Sequence, residues 1–586
     1  MMDLVVRGGS VVDGTGAAAF VADIAIRNGM IEAVAPDLSH LEAARTIDAA
    51  GLTVTPGFID IHTHYDGQVS WDSDIAPSCY HGVTSIVMGN CGVGFAPAKP
   101  DKRDWLINLL EGVEDIPGTA LAEGLTWDWE SFPDYMDALT RRRFALDLGA
   151  QMPHAPLRAY VMGARGADSQ ARPTADEIAE MARLAAEAVE AGALGFSTSR
   201  TVAHQTRAGE TIGTYRAPEE ELIAIAAAIG ATGKGVIQLI SDAYLTADDA
   251  FAQAELDLVR KIARASGRPI SLTVQQTANA PQRWRMIFDW IENQRAEGLP
   301  ISAQVAVRGV GGIIGFSTNT NPFMATPTWK TISALSRAKR MERLRDPAVR
   351  ARILEEHEAP VEGPFGEYVA RAFHAMFRMT DPVDYEPSPV ASMLAEARRI
   401  GKEPANHVYD VLLEEEGNRL LYFPAINYLS GDLSVVHAML SADYALFGLS
   451  DGGAHCGMIC DASFPTTAIS MWPTGSKTGL RFTFEEMVHG YTQRSARHVG
   501  WMDRGVVAPG YIADLNLIAR DELSLPPPQV VKDLPAGGKR LIQKAGGYRM
   551  TIKNGVVTVE NGMLTGALPG KLVRGATTPA RLFAAA

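Results

Sequence analysis

The apolar and polar positions divide the chain into three textures. Near the N-terminus, short alternating runs, Leu4–Arg7, Val11–Asp13, Ala22–Arg27 and Met30–Val34, are separated by Gly8-Gly9 and Asn28-Gly29. Asn-Gly between apolar runs is a hairpin signal, because a type I′ turn needs two residues that tolerate positive φ. The C-terminal end repeats this texture in Ala513–Ile518, Met550–Ile552 and Val556–Val559, with Asn554-Gly555 and Asn561-Gly562 as turns. The two ends therefore predict one small β-sandwich domain, built from residues 1–54 and 506–575. Between them, continuous apolar runs recur at Val54–Ile61, Thr84–Met88, Phe144–Gly149, Ala193–Thr198, Gly235–Ile240, Pro269–Val274, Pro300–Val305 and Tyr444–Leu449. Helical periodicity separates several of them, as in Ala175–Ala191, Pro218–Ile229 and Thr246–Ala265. This alternation predicts an α/β fold, a TIM-like (β/α)8 barrel over 55–505, with a doubly wound open sheet as the competing arrangement.

The seventh and eighth runs stand too far apart for a structureless loop. Helical patterns at Lys330–His357, Gly366–Met379 and Pro389–Ile400 predict a helical insertion over 310–440. Gly309–Phe323, rich in Gly and Asn, reads as a mobile loop at its boundary.

Composition narrows the function classes. The 586 residues are 46% hydrophobic and 21% charged, with a formal net charge of −14. An acidic chain without a basic block argues against nucleic acid as partner. Four cysteines are too few for a disulfide scaffold. There is no basic, apolar N-terminal leader and no long uncharged apolar run, so the expected location is cytoplasmic, with no membrane partner.

The sharpest chemical feature is Pro56-Gly57-Phe58-Ile59-Asp60-Ile61-His62-Thr63-His64. Two histidines at i and i+2 share one face of a strand, and neutral imidazoles suit zinc, iron or nickel. Taken alone, the pair reads equally well as two ordinary strand-end histidines. Gly89-Asn90-Cys91-Gly92 closes the second apolar run and Ser450-Asp451-Gly452-Gly453-Ala454-His455 the eighth. A carboxylate at a strand end can ligate a metal and accept a proton from water. Alone, Asp451 reads as a turn cap. With the two histidines it reads as part of a metal site.

These segments, with Gly510-Tyr511-Ile512-Ala513-Asp514-Leu515, resemble the amidohydrolase superfamily. Gly89-Asn90-Cys91-Gly92 is similar to the D-aminoacylase branch, the N-acyl-D-amino-acid deacylases. Pro153-His154-Ala155-Pro156-Leu157-Arg158, Gly195-Phe196-Ser197-Thr198-Ser199-Arg200, Cys460-Asp461-Ala462-Ser463 and Asp533-Leu534-Pro535-Ala536-Gly537-Gly538 resemble that branch as well. The resemblance implies metal-dependent hydrolysis of a non-peptide amide, with a small-molecule N-acyl-D-amino acid or related amide as partner. A homo-oligomer is compatible with it.

The chain departs from the superfamily at two places. No histidine lies between His204 and His357, so the usual ligands after strands five and six are missing; the corresponding segments read Val236-Ile237-Gln238-Leu239-Ile240-Ser241-Asp242 and Thr273-Val274-Gln275-Gln276-Thr277. No lysine lies between Lys102 and Lys234, which excludes a carbamylated lysine on strand four. The expected centre is one principal ion, zinc, held by His62, His64, Cys91 and Asp451. Asp451 is the expected general base and acid, and His455 a second catalytic group. His154, Arg158, Arg200 and His204 are candidate substrate contacts. Each also has a plain structural reading, as a strand-end, ion-pair or loop residue, and Cys91 has one as a small buried thiol. Two other functions stay open from sequence: cleavage of a cyclic or aryl amide, and a catalytically inactive barrel that serves as a binding protein.

Overall fold

The computed structural model describes residues 1–361 and 364–579. Eight parallel strands lie within a residue or a few of the predicted runs: Phe58–Asp60, Val83–Met88, Asp147–Ala150 (continued by Met152–Pro153), Gly195–Arg200, Val236–Ser241, Ile270–Thr273, Ile301–Val305 and Ala445–Phe447. Their hydrogen bonds form two runs in chain order. One joins the first three strands, and the other extends from Met152–Pro153 to Ala445–Phe447. Only Gln151 separates the runs along the third strand. At the other ends, Thr63 bridges Gly452 in parallel, and His64 N donates to Gly452 O at 2.8 Å. Strands such as Val236–Ser241 are buried throughout, as expected for parallel strands covered by helices. The Ala175–Glu190 helix opens with a Thr174–Glu177 capping box and buries Met181, Ala185, Ala188 and Val189 on one stripe.

The chain ends meet in one continuously hydrogen-bonded sheet. Nine strands hydrogen-bond continuously, from Met2–Val11, Phe20–Arg27, Met30–Ala35, Ala43–Asp48 and Thr53–Pro56 to Leu515–Ile518, Tyr548–Lys553, Val556–Glu560 and Met563–Leu564. The long Met2–Val11 strand makes this possible, pairing with Ala43–Asp48 along one part and Thr53–Pro56 along another. The sheet folds over a core that includes Leu4, Ile24, Val54, Leu515 and Ile552, and Ala513 N reaches back to Gly29 O at 2.9 Å.

Three boundaries differ from expectation. The predicted run Val54–Ile61 is two strands: Thr53–Pro56 belongs to the terminal sheet, and Phe58–Asp60 is the first parallel strand. Gly57 is the pivot, since a Cβ there would lie 2.2 Å from Thr84 Oγ1. Within 506–575, Gln529–Val531 and Arg540–Ile542 pair with each other outside the terminal sheet, and Leu541 N donates to Cys456 O at 2.7 Å beside the site. Residues 570–577 run against the parallel strands and the Trp501 turn, through Phe144–Gly570, Leu148–Leu572 and Trp501–Thr577 bridges. Short strand patterns carry no record of which sheet edge they join.

The 310–440 segment holds helices around a small antiparallel sheet of Val310–Ile314, Leu421–Ile426 and Phe377–Arg378. Phe316, Phe323, Trp329, Tyr409 and Phe423 give it a core of its own. The expected loop at Gly309–Phe323 is therefore partly a strand. Gly311 permits it, because a Cβ would sit 2.2 Å from Phe423 O. No helix among the described residues is long and apolar enough to cross a membrane.

Candidate metal centre

His62 and His64 follow the first parallel strand and are 1% and 2% exposed. Gln304, on the seventh strand, donates its Nε2 to Ser271 Oγ at 3.0 Å, which turns its Oε1 to His62 Nδ1 at 2.5 Å. The imidazole must therefore donate from Nδ1 and keep its Nε2 lone pair free. Cys91 Sγ lies 3.3 Å from that Nε2. Ligand atoms of His62, His64 and Cys91 all fall within 4.8 Å of one another.

The turn carrying Cys91 is held from below. Cys91 N donates to Gln238 Oε1 at 2.8 Å and Gly92 N to Ser197 Oγ at 2.9 Å. Cys91 has φ of 54°, and the eighth-strand turn has Leu449 at 61°, Asp451 at 48° and His455 at 49°. Each such non-glycine residue costs on the order of 1–3 kcal/mol, tolerated where surrounding contacts fix it, and such positions cluster at functional sites. Asp451 Oδ1 stands 3.3 Å from His62 Nε2 and 3.6 Å from His64 Nε2. Its side chain keeps 21% exposure, so it contacts both imidazoles from the open side.

Glu114 completes the polar cluster. It is the last residue of the Arg103–Glu114 helix and is 2% exposed. Its carboxylate lies 3.3 Å from His64 Nδ1 and 3.7 Å from His455 Nε2. The His64 contact is out of line for a hydrogen bond, so it is an ion pair. Asp115 follows with φ of 49°, and its carboxylate accepts from Gly457 N at 3.2 Å and Asn319 Nδ2 at 3.3 Å.

Burial and charge act against each other here. Burial pushes His62 down to about 4, although Asp451 opposes the shift. Burial also works against a charged His64, but Glu114, then Asp451 and Cys91, hold it well above the usual imidazole range. Burial would raise Asp451, yet the imidazoles of His64, His62 and His455 keep it below the usual carboxylate range. Burial pushes the Cys91 thiol up to about 11 against the pull of His64. His204 is driven down to about 3 by burial and by the neighbouring His64 and His455, which places it within electrostatic reach of the cluster.

Of the candidate substrate contacts, three are spent elsewhere. His154 Nε2 binds Glu221 Oε1 at 2.8 Å, and Arg158 Nη1 binds Glu221 Oε2 at 2.7 Å, all with fully buried side chains. His154 Nδ1 meets Thr198 Oγ1 at 2.8 Å. Arg200 grips Glu255 through Nε at 2.8 Å and Nη2 at 2.7 Å. In each case the partner is a carboxylate on a neighbouring helix, Glu221 or Glu255. His204 remains part-buried, with Nδ1 2.8 Å from Ser199 Oγ.

Sequence reasoning missed Glu114, Gln304 and the anchoring role of Gln238. Glu114 had a legible signal, a carboxylate at i+4 from Leu110 and i+8 from Leu106 on the buried stripe of an amphipathic helix. The glutamines had none, because polar residues inside a parallel strand carry no mark of what they hold.

Two imidazoles and a thiol, buried and convergent, form a donor set suited to zinc. In a parallel α/β sheet the C-terminal strand ends, where this cluster stands, are where active sites form. The chain belongs to the amidohydrolase family, whose profile matches residues 45–559. Among its curated relatives, a D-aminoacylase of Alcaligenes xylosoxydans xylosoxydans is 38% identical over 196 residues, 33% of this chain and 37% of that one. An N-acyl-D-glutamate deacylase of the same organism is 33% identical over 311 residues, 52% of this chain and 56% of that one. The chain thus spans between a third and somewhat over half of these relatives' length. A solved N-acyl-D-glutamate deacylase from Bordetella bronchiseptica, complexed with zinc and a phosphonate inhibitor, is 23% identical with a TM-score of 0.65, covering 98% of this chain and 99% of that one. That likeness supports the fold, a TIM-like barrel with an additional domain.

Proposed function

We propose that this protein hydrolyses a non-peptide amide, with an N-acyl-D-amino acid or a related N-acyl compound as substrate and one zinc ion as cofactor. The observation that carries this reading is the buried His62–His64–Cys91 cluster with Asp451 set against it. The two named deacylases from Alcaligenes support the substrate class. Gln238 within strand five and Gln275-Gln276 after strand six, where histidine is absent, favour one ion over two. The same reading takes the eight strands as a closed barrel, joined at Thr63–Gly452, with the nine-stranded sheet as a separate domain and 310–440 as an insertion.

His62, His64 and Cys91 would hold the ion, with Asp451 as a looser fourth contact. When bound, a divalent ion makes water more acidic and polarises the amide carbonyl. Asp451 is kept ionised by the surrounding imidazoles, so at neutral pH it takes the proton of the attacking water. The same carboxyl then delivers that proton to the leaving amine. His455, with a quarter of its side chain exposed, lies on the open side and stabilises the developing oxyanion. His204 is the remaining substrate-side contact.

Zinc-loaded protein assayed against N-acyl-D- and N-acyl-L-amino acids, hydantoins, lactams and aryl amides tests the proposal. Release of a free D-amino acid is expected. Turnover of cyclic or aryl amides alone would replace the substrate class, and full activity in Asp451→Asn would remove the assigned base.

A further inference from the structure

We propose that Glu114 is a positioning residue that holds the rings of His64 and His455 together, so that the metal-binding side and the substrate side of the centre are oriented as one unit. The inference rests on the hydrolase reading above and adds a component that lies outside the barrel strands.

The placement of Glu114 is unfavourable by every local measure. A carboxylate at the last residue of a helix meets the negative end of the macrodipole. It is also nearly fully buried, where an ionised group needs partners. Among the described residues, its ion-pair contacts are two histidines, His64 at 3.3 Å and His455 at 3.7 Å, with no lysine or arginine. Neither helix stability nor a surface ion pair explains a carboxylate there. The two imidazoles do.

The backbone supports the same arrangement. The Glu114 carbonyl accepts the His455 N–H, and the Asp115 carboxylate accepts Gly457 N. The helix end thus fixes the main chain of the turn that carries Asp451 and His455, and sets a carboxylate 3.7 Å from the His455 ring. His455 sits at φ of 49°, a conformation that needs such outside support. Glu114 is not itself in the tight ligand cluster, which comprises His62, His64 and Cys91. Its role is therefore to orient a ligand through charge, 3.3 Å from the His64 ring, rather than to supply a donor atom to the ion. Gln304 gives His62 the corresponding support, but its amide reaches one ring only. Glu114 reaches two.

The test uses the full-length protein. Zinc affinity is measured by chelator competition in wild type, Glu114→Gln and Glu114→Ala, and the visible spectrum of each cobalt-substituted form is recorded. Glu114→Ala is expected to weaken zinc binding by roughly 10–100-fold and to alter the cobalt spectrum. Glu114→Gln keeps the size and one acceptor, and is expected to fall between the two. With a confirmed substrate, kcat should fall in both variants while KM changes little. Wild-type zinc affinity and a wild-type cobalt spectrum in the alanine variant would overturn the inference, even if its melting temperature drops. If Glu114→Ala does not fold, Glu114→Gln decides the matter on the same two readouts. These readouts do not require turnover, so failure to find a substrate would count against the hydrolase reading and leave this inference to stand or fall on metal binding.

Discussion

Two clusters in this protein are built from the same residue types and behave as opposites. His154, Arg158 and Glu221 form a closed set: every side chain is fully buried, and imidazole, guanidinium and carboxylate meet at 2.7–2.8 Å. His62, His64, Cys91, Asp451, Glu114 and His455 form a looser one, with contacts of 3.3–3.7 Å and two partly exposed members. Left-handed backbone recurs at Cys91, Asp451 and His455. The closed set uses its polar capacity to join a strand end to a helix. The loose set leaves donor atoms converging without saturating one another. Unused capacity together with backbone strain sets this cluster apart from the closed one, more than the presence of histidine does.

The largest effect should come from the loose cluster. Asp451→Asn should lower kcat/KM by roughly 10²–10⁴-fold while zinc content stays near wild type, read by steady-state kinetics alongside metal analysis. In the closed cluster the loss should appear in stability instead. Glu221→Ala strands Arg158 without a counter-charge, which should cost about 3–5 kcal/mol in denaturant unfolding. Zinc stoichiometry of the folded fraction should be unchanged; a parallel loss of zinc would mean that the two clusters are not separate. Cys91→Ala should weaken zinc at least as much as loss of an outer-shell partner does, roughly 10–100-fold. Unchanged affinity would take the thiol out of the centre.

The smallest effect concerns a second closed histidine. His81 is fully buried between Thr466 Oγ1 at 2.9 Å and Gln543 O at 3.0 Å, and burial pushes it down to about 4. In the unfolded chain it would titrate near about 6.5. Between those values the unfolded state binds the extra proton, so stability falls as pH drops from about 6.5 towards 4. The contribution is up to about 3 kcal/mol. His81→Gln should flatten this acid limb of the stability curve. An unchanged limb would mean that His81 is not its source.

Much of this organisation was legible because its signals are local. Eight buried apolar runs marked the parallel strands, and the i, i+2 histidines marked the face on which they stand. Cys91 and Asp451 were legible once a closed order of strands was assumed, since the first, second and eighth strand ends are then neighbours. The Arg158 and Arg200 partners were not legible. Glu221 and Glu255 lie on helices, and a carboxylate on a helix shows no sign of whether it faces solvent or a strand end. The strand at Val310–Ile314 was hidden for another reason: Gly311-Gly312 reads as loop, whereas here the missing side chain admits a neighbouring backbone.

The pairing of Thr53–Pro56 with Leu515–Ile518 also sets a timetable for synthesis. The strand that leads into His62 and His64 leaves the ribosome before its partner, which lies more than four hundred residues downstream. At translation rates of about 5–20 residues per second, that interval is roughly 20–90 s. Throughout it, the nascent N-terminal sheet has an unpaired edge, the kind of template on which chains join one another. Completion of the sheet then waits for Leu515–Ile518. A ribosome that stops short of residue 515 therefore releases a parallel strand still attached to an open edge. Products that stop before residue 515 should accordingly be found with chaperones or in aggregates.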